Sequence, residues 1–299
     1  MPMTEILPGA EIGFFGLGKM GTPMSRRLAE AGYRVRGYDM SEPELRSWAS
    51  LVPGAVAASG PTAAVDGAAA TILMLPDSSV VTSVLAEVLP AMSWGAMVVD
   101  MSSSQPQSTR ELAGQAARHG VVLIDAPVSG GVTGADSGRL TVMAGGATDD
   151  VARVRPLLEV LGSRVIRVGD VGAGHAVKAL NNLLSATHLL VTCEAMSAAA
   201  AFGLDVPAVL DVINTSSGRS GSTENKWPNY IVPGTYNSGF TMELMVKDML
   251  IALGIAETAG TQSRLSAFAV GLWAEAAAAI GGDADHTQVA RWLGWPVAS

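Results

Sequence analysis

The sequence predicts an α/β first half, built on a doubly wound sheet, followed by a long helix and an all-α second half. Three observations carry that expectation. Between residue 11 and about 168, short apolar runs alternate with amphipathic segments in the order that builds βαβ units. After Gly172-Ala173-Gly174 this alternation gives way to Ala- and Leu-rich helical stretches. At 299 residues the chain also exceeds the usual size of one hydrophobic core, so two domains are expected, 1–170 and 171–299.

Strands are expected at residues 11–15, 34–38, 71–75, 97–100, 121–125, 141–144 and 164–168. Amphipathic segments such as 20–31, 80–89 and 108–119 are long enough to cross over the sheet, which makes the strands parallel and the domain Rossmann-like. A helix over 175–202 would reach about 40 Å at roughly 1.5 Å per residue. That is too long for a small domain to cover, so it is expected to be an interdomain helix. Helices near 206–215, 241–259, 265–279 and 287–293 complete the second half. Residues 216–238 read as a polar, Pro-containing loop able to lie over a site. No internal repeat interrupts the chain.

Composition narrows the partners. The apolar fraction is 48% while aromatics make up only 5%, so the cores rely on small aliphatic residues. A formal net charge of −8 argues against nucleic acid, whose phosphates are held by clustered Lys and Arg. One cysteine, Cys193, cannot form an internal disulfide, which fits a reducing cytoplasm. The first residues lack the basic and apolar regions of a signal peptide. The most membrane-like stretch, 183–204, carries His188 and Glu194, so a buried helix and no membrane partner are expected. His119 and His286 show no metal-ligand spacing, and no metal is expected.

The turn Gly16-Leu17-Gly18-Lys19-Met20-Gly21 follows the first strand directly and opens a helix, with Pro23 tolerated in its first turn. In that context the G-x-G-x-x-G spacing acquires a mechanism. Gly16 permits the tight bend, Gly18 lets backbone approach a pyrophosphate, and Gly21 lets helix and strand pack closely. Unpaired N–H groups and the positive dipole end at the helix start would hold the pyrophosphate. Asp39 ends the second strand about 20 residues beyond the turn, where a carboxylate accepts from the adenosine ribose hydroxyls and repels a 2′-phosphate. NAD is the expected cofactor. Arg36 beside it keeps NADP open.

Four ordered segments resemble the β-hydroxyacid dehydrogenases, the family of 3-hydroxyisobutyrate dehydrogenase and tartronate semialdehyde reductase. They are Gly13-Phe14-Phe15-Gly16-Leu17-Gly18-Lys19-Met20-Gly21-Thr22-Pro23-Met24, Asp125-Ala126-Pro127-Val128-Ser129-Gly130-Gly131, the run from Gly172 to Asn182, and Lys247-Asp248. The resemblance implies a Rossmann domain, a long interdomain helix, an α-helical second domain and a site in the cleft between them. It implies that Lys178 is catalytic, that Ser129 with the Gly130 and Gly131 backbone holds a substrate carboxylate, and that Asn182 orients the substrate. It also implies that Leu75, Pro76 and Ser103 line the nicotinamide side, and that Lys247 reaches the cofactor end with Asp248 beside it. Homodimers or homotetramers are implied as well.

Oxidising an alcohol requires a hydride acceptor and a base. A lysine serves as that base only when desolvation or nearby positive charge lowers its pKa, and the positive end of a helix near Lys178 acts in that direction. Asn182 lies four residues on and leaves the same helix face. From pattern alone, Lys178 reads equally as a solvated lysine at a helix start, and Ser129-Gly130-Gly131 as an ordinary loop past a strand end. Ser129 lacks the G-x-S-x-G context of a nucleophile. Spacing pairs Glu243 with Lys247 on a helix surface. His175 reads as a capping or surface residue and His188 as a packed one. Cys193 reads as small and buried, and Trp227, Trp292 and Trp295 as core or interface residues.

Within the resemblance, 6-phosphogluconate dehydrogenases carry a histidine where Asn181 stands, so a simple dehydrogenase is preferred over a decarboxylating one. Imine reductases lack the lysine. A non-catalytic dinucleotide-binding scaffold is a third reading, but it expects a replaced lysine and added basic domains. A small C3–C4 3-hydroxy acid such as 3-hydroxyisobutyrate is the expected substrate. Glycerate with tartronate semialdehyde, threonate and 4-hydroxybutyrate stay open, and Arg219 either pairs with a second anionic group or caps a loop.

Overall fold

The computed structural model describes residues 4–295. The chain forms two compact units, divided between Lys178 and Ala179 inside the long helix.

The first unit contains β1 (Glu11–Phe15), α1 (Gly21–Glu30), β2 (Arg34–Tyr38), α2 (Glu42–Leu51), β3 (Val56–Ala57), α3 (Pro61–Val65), β4 (Ala70–Leu73), α4 (Ser78–Val88) and β5 (Met97–Asp100). It continues with α5 (Pro106–Arg118), β6 (Val122–Asp125), β7 (Val128–Ser129), α6 (Gly131–Ser137), β8 (Thr141–Gly145), α7 (Thr148–Leu161) and β9 (Arg164–Gly169). Strand order is β3-β2-β1-β4-β5-β6-β8-β7, with β9 paired to β8. The six strands from β3 to β6 are parallel, as expected. At the next position the expectation fails, because β8 runs antiparallel to β6. The cause is β7, which follows β6 and pairs antiparallel with β8, so the chain turns back through α6 instead of crossing the sheet face.

Alternation along the strands shows why both faces are covered. Ile12, Phe14, Ile72, Met97, Val99 and Ile124 enter one core with Leu28 of α1, Trp48 of α2 and five residues of α7. Phe15, Leu73, Val98 and Leu123 enter the other, against α3, α4 and α5. Successive side chains point to opposite faces of a strand, so a sheet with helices on both sides reads as continuous apolar runs. At roughly 1.5–3 kcal/mol for each fully buried aliphatic side chain, the Val151, Val154, Leu157, Leu158 and Leu161 stripe holds α7 to the sheet.

The long helix α8 covers Ala173–Ala201 and is followed by α9 (Val206–Asn214), a π-helical segment (Ser222–Ile231), α10 (Met242–Thr258), α11 (Arg264–Ile280) and α12 (Val289–Trp292). The second core gathers Ala186, Leu189, Cys193 and Met196 of α8 with Trp227, Met245, Met249 and Trp273. Two expectations are corrected here. Within this chain α8 is covered on one face only, leaving Val177, Leu180, Leu184, His188 and Val191 exposed. Among the described residues it is the one helix long and apolar enough to cross a membrane, with 33% of its most apolar window buried. The expected loop 216–238 holds a helix, in which the Val232 N–H reaches the Trp227 carbonyl five residues back at 2.9 Å. Burial of Trp227 and Ile231 holds that segment in place.

Candidate functional site

The glycine turn has the geometry its spacing requires. Gly16 lies at φ +87°, and a side chain there would meet the Met74 carbonyl. A side chain on Gly21 would meet the Gly16 carbonyl, so helix and turn pack at glycine distance. Around Gly18 the space is open, with no atom within 4 Å of where a side chain would stand. Leu17 is buried, while Gly18 and Lys19 are exposed and Met20 half-buried. The residues fit a dinucleotide: an open, glycine-lined backbone at a helix start.

Asp39 is bound into this turn. Its Oδ2 accepts the Leu17 N–H at 2.8 Å and its Oδ1 the Ser41 N–H at 2.8 Å. A carboxylate offers about four acceptor positions, so two remain for ribose hydroxyls. Arg36, in contrast, is directed elsewhere, with Nη1 donating to the Ala63 carbonyl at 2.8 Å and the Asp66 carbonyl at 3.0 Å, and Nη2 lying 3.9 Å from Glu11.

The carboxyl ends of the strands carry further residues singled out from the sequence. At the end of β5, Asp100 is buried and accepts the Ser102 N–H at 3.0 Å and the Ser104 hydroxyl at 3.1 Å. The Ser102 hydroxyl in turn accepts the Leu75 N–H at 2.9 Å. Leu75, Pro76 and Ser103 therefore stand on loops tied together through Asp100, with Ser102 inside and Ser103 half-exposed. Ser129 ends β7, and Gly130 and Gly131 follow at φ +132° and +62°, both exposed. The described residues leave a cavity of about 360 Å³ at the opposite, amino end of the sheet, lined by Ala10, Ala69, Trp94 and Arg153 among others.

The start of α8 departs from the sequence reading. Asp125, buried at the end of β6, accepts the Gly172 N–H at 2.6 Å and the His175 N–H at 2.8 Å. The helix end is thus capped by a carboxylate from a distant strand, which offsets the positive field expected to act on Lys178. Side chains on Gly145 or Gly174 would enter the space of this carboxylate. Burial pushes Asp125 upward, opposed by the charge of His175 and the two N–H bonds, with an upward net shift. His175 is neither a cap nor a surface residue. It is buried, with Nδ1 2.8 Å from the Thr109 hydroxyl. Lys178 lies one turn on, half-buried.

In the second unit, Asn182 Nδ2 donates to Asp248 Oδ2 at 2.6 Å, and Lys247 Nζ lies 3.5 Å from Asp248 Oδ1. The structure thus joins Asn182, Asp248 and Lys247. Arg219 stands on the surface, with Nη1 3.5 Å from Glu224. His188 is exposed, not packed as expected. Cys193 is buried, and burial pushes its thiol up to about 12. Among the described residues no group of His, Cys, Asp and Glu could hold a metal ion.

Residues 11–169 match the family model for the NAD binding domain of 6-phosphogluconate dehydrogenase, and residues 172–293 that for the NAD-binding region of NADP-dependent 3-hydroxyisobutyrate dehydrogenase. The chain belongs to the β-hydroxyacid dehydrogenase family. Among its relatives are 2-(hydroxymethyl)glutarate dehydrogenase of Eubacterium barkeri, 37% identical over 81% of each chain, and an NAD-dependent L-serine dehydrogenase of Pseudomonas aeruginosa, 34% identical over 88% of this chain and 91% of the relative. A solved 3-hydroxyisobutyrate dehydrogenase of Mycobacterium tuberculosis, described with L-serine, superposes with a TM-score of 0.89 at 31% identity, covering 97% of this chain and all of that one.

As a β-hydroxyacid dehydrogenase, the protein is an NAD(P)-dependent oxidoreductase acting on the CH–OH group of a hydroxy acid. Sequence reading missed the supporting acids Asp100 and Asp125 and the anchoring role of Asp248. One signal was present: both aspartates close apolar strand runs, where open α/β sheets place ligand sites.

Proposed function

We propose that this β-hydroxyacid dehydrogenase oxidises a C3–C4 3-hydroxy acid, such as 3-hydroxyisobutyrate, to its semialdehyde with NAD, and reduces it in reverse. Lys178 is the general acid/base. The observation that carries this reading is the pairing of Lys178 and Asn182 one turn apart on α8, with the Asn182 amide fixed by Asp248.

In this scheme the Ser129 hydroxyl and the Gly130 and Gly131 N–H groups hold the substrate carboxylate. Asn182 bonds the reacting hydroxyl, Lys178 takes its proton as the carbonyl forms, and NAD, when bound, accepts the hydride from the same carbon. Gly16, Leu17, Gly18, Lys19, Met20 and Gly21 would hold the pyrophosphate, Leu75, Pro76 and Ser103 would border the nicotinamide, and Lys247 is assigned to the cofactor as well. Asp39 favours NAD because its remaining acceptors suit ribose hydroxyls, and Arg36 has its donors on Ala63 and Asp66.

The relatives named for 3-hydroxyisobutyrate, L-serine and 2-(hydroxymethyl)glutarate support one substrate pattern, a CH2OH group beside a carbon bearing a carboxylate. A short third substituent fits the exposed Arg219, which already pairs with Glu224. The exposed apolar face of α8, with Leu250, Leu265 and Phe268, supports a homodimer or homotetramer. The single buried cysteine supports a cytoplasmic location.

The test is a panel of small hydroxy acids with NAD, read by absorbance of the reduced cofactor, on the wild type and Lys178→Ala. The variant is expected to lose about 10²–10⁴ in kcat with NAD affinity nearly kept. Normal turnover would remove Lys178 from the chemistry.

A further inference from the structure

Asp100 and Asp125 are direct register partners at the ends of β5 and β6. Both are buried, and the imidazole of His175 stands against them, with Nε2 3.8 Å from Asp100 Oδ2 and Nδ1 3.9 Å from Asp125 Oδ2. The Thr109 hydroxyl, which donates to the Gln105 carbonyl at 3.0 Å, stands 2.8 Å from His175 Nδ1. Nε2 faces Asp100 with no partner at hydrogen-bond distance.

An apolar ring would fill the same space without leaving an unpartnered nitrogen. A buried polar group left without a partner is costly, so an unpartnered nitrogen retained here calls for a role other than stability. The cluster lies where the first turn of α8 meets the two strands. Asp125 holds the backbone of that turn, and Asp100 holds Ser102, whose hydroxyl holds Leu75.

We propose that His175 is a positioning residue for Lys178, its ring keyed between Asp100 and Thr109 so that the rotation of the first α8 turn and the Leu75–Ser103 loops share one anchor. This inference rests on the proposed role of Lys178. Nothing in it requires His175 to touch substrate or cofactor. Its effect is on where the amine is presented, one turn further along a rigid helix. Loss of the His175 ring alone therefore lowers kcat more than cofactor affinity, because the glycine turn and Asp39 lie on other elements and Asp100 still holds the Leu75–Ser103 loops.

The test uses His175→Asn, whose amide can still bond Thr109 but is too short to meet Asp100, and Asp100→Asn, which leaves the ring in place. Three quantities are read on the full chain: kcat, the NAD dissociation constant, and the acylation rate of Lys178 by acetic anhydride, followed by peptide mass spectrometry with Lys247 as internal reference. The expected result is a fall of about 10-fold in kcat and a change of at least threefold in Lys178 acylation relative to Lys247 in both variants, with NAD affinity within twofold of wild type in His175→Asn. Wild-type kcat and acylation in both variants would overturn the proposal, as would parallel loss of kcat and NAD affinity in His175→Asn. Recovery of both variants only as unfolded protein would overturn it too, since the cluster would then serve folding alone. The acylation measurement separates the two hypotheses: normal turnover of Lys178→Ala would sink the catalytic role, while the acylation rates would still report whether His175 sets the presentation of the amine.

Discussion

Asn182 Nδ2 and Asp248 Oδ2 stand 2.6 Å apart, both side chains buried, and the Asn182 carbonyl oxygen receives the Asn181 amide at 3.1 Å. These bonds fix which way the Asn182 amide faces, because a carboxylate accepts only from the NH2 side. One amide hydrogen points to Asp248, and the second is the one that the proposed scheme assigns to a substrate oxygen.

Asp248→Ala is therefore expected to act through Asn182. Hydrogen bonds to charged groups are worth about 1.5–3 kcal/mol, which corresponds to a loss of roughly 10- to 100-fold in kcat/KM. Steady-state kinetics with the best hydroxy acid would check it. A variant with unchanged kcat/KM would show that the Asn182 amide needs no anchor.

The role proposed for Asp39 predicts a cofactor preference. The wild type is expected to favour NAD over NADP by at least about tenfold in kcat/KM, since a 2′-phosphate would face the carboxylate at close range. Asp39→Ser is expected to reduce that ratio and also to weaken NAD, because the Leu17 N–H loses its acceptor. Side-by-side assays with both cofactors decide the matter, and a wild type faster with NADP would overturn the assignment.

What was legible in the sequence follows from what leaves a local signal. β1, β2 and β5 were readable to the residue, because four or five consecutive apolar or alternating positions bounded by turns announce a strand. The two-residue strands β3 and β7 carry no such period, and with β7 the antiparallel turn of β8 was lost. The glycine turn was visible because its chemistry is contiguous. The supporting contacts are not: Asp125 to His175 spans 50 positions and Asn182 to Asp248 spans 66, so no window along the chain contains either pair. The 222–231 segment misled because its polar residues and Pro228 outweighed Trp227 and Ile231, the two side chains that bury it.

Stability should depend on His286. Burial, aided by the nearby Lys226 charge, lowers its pKa to about 3, against the attraction of Asp285 and a bond to the Phe240 carbonyl. With the folded value below the unfolded one, near 6.5, the unfolded chain binds a proton that the folded chain refuses. The stabilising contribution is complete above the unfolded pKa and is lost as the pH falls from there toward 3, at about 1.4 kcal/mol per unit where only the unfolded chain is protonated. Asp285 acts on the same side at lower pH: burial raises its pKa, but bonds from Thr287 and Ser238 outweigh burial and hold it below its ordinary value. Urea unfolding between pH 7 and 5 should show the slope in wild type and a shallower one in His286→Gln. Equal slopes would contradict the prediction.

Cys193 should be silent toward thiol reagents. It is buried in the second core and its thiol is pushed up to about 12, mainly by burial, so little thiolate exists at pH 8. A chromogenic disulfide reagent is expected to report no thiol in the native protein and one after denaturation. Rapid native labelling would mean that α8 opens.

The π-helical segment Ser222–Ile231 sets a rule for the length of the chain at this place. Each residue removed from a helix turns everything beyond it by about 100°, so deleting one residue here would change how the segment's buried side chains and the chain beyond them face the core. Tyr236, whose N–H reaches the Tyr230 carbonyl at 3.1 Å, would turn with them. The ten residues therefore tolerate exchange of side chains more readily than a change in their number, and a library that varies length should find this the least forgiving stretch of the second unit.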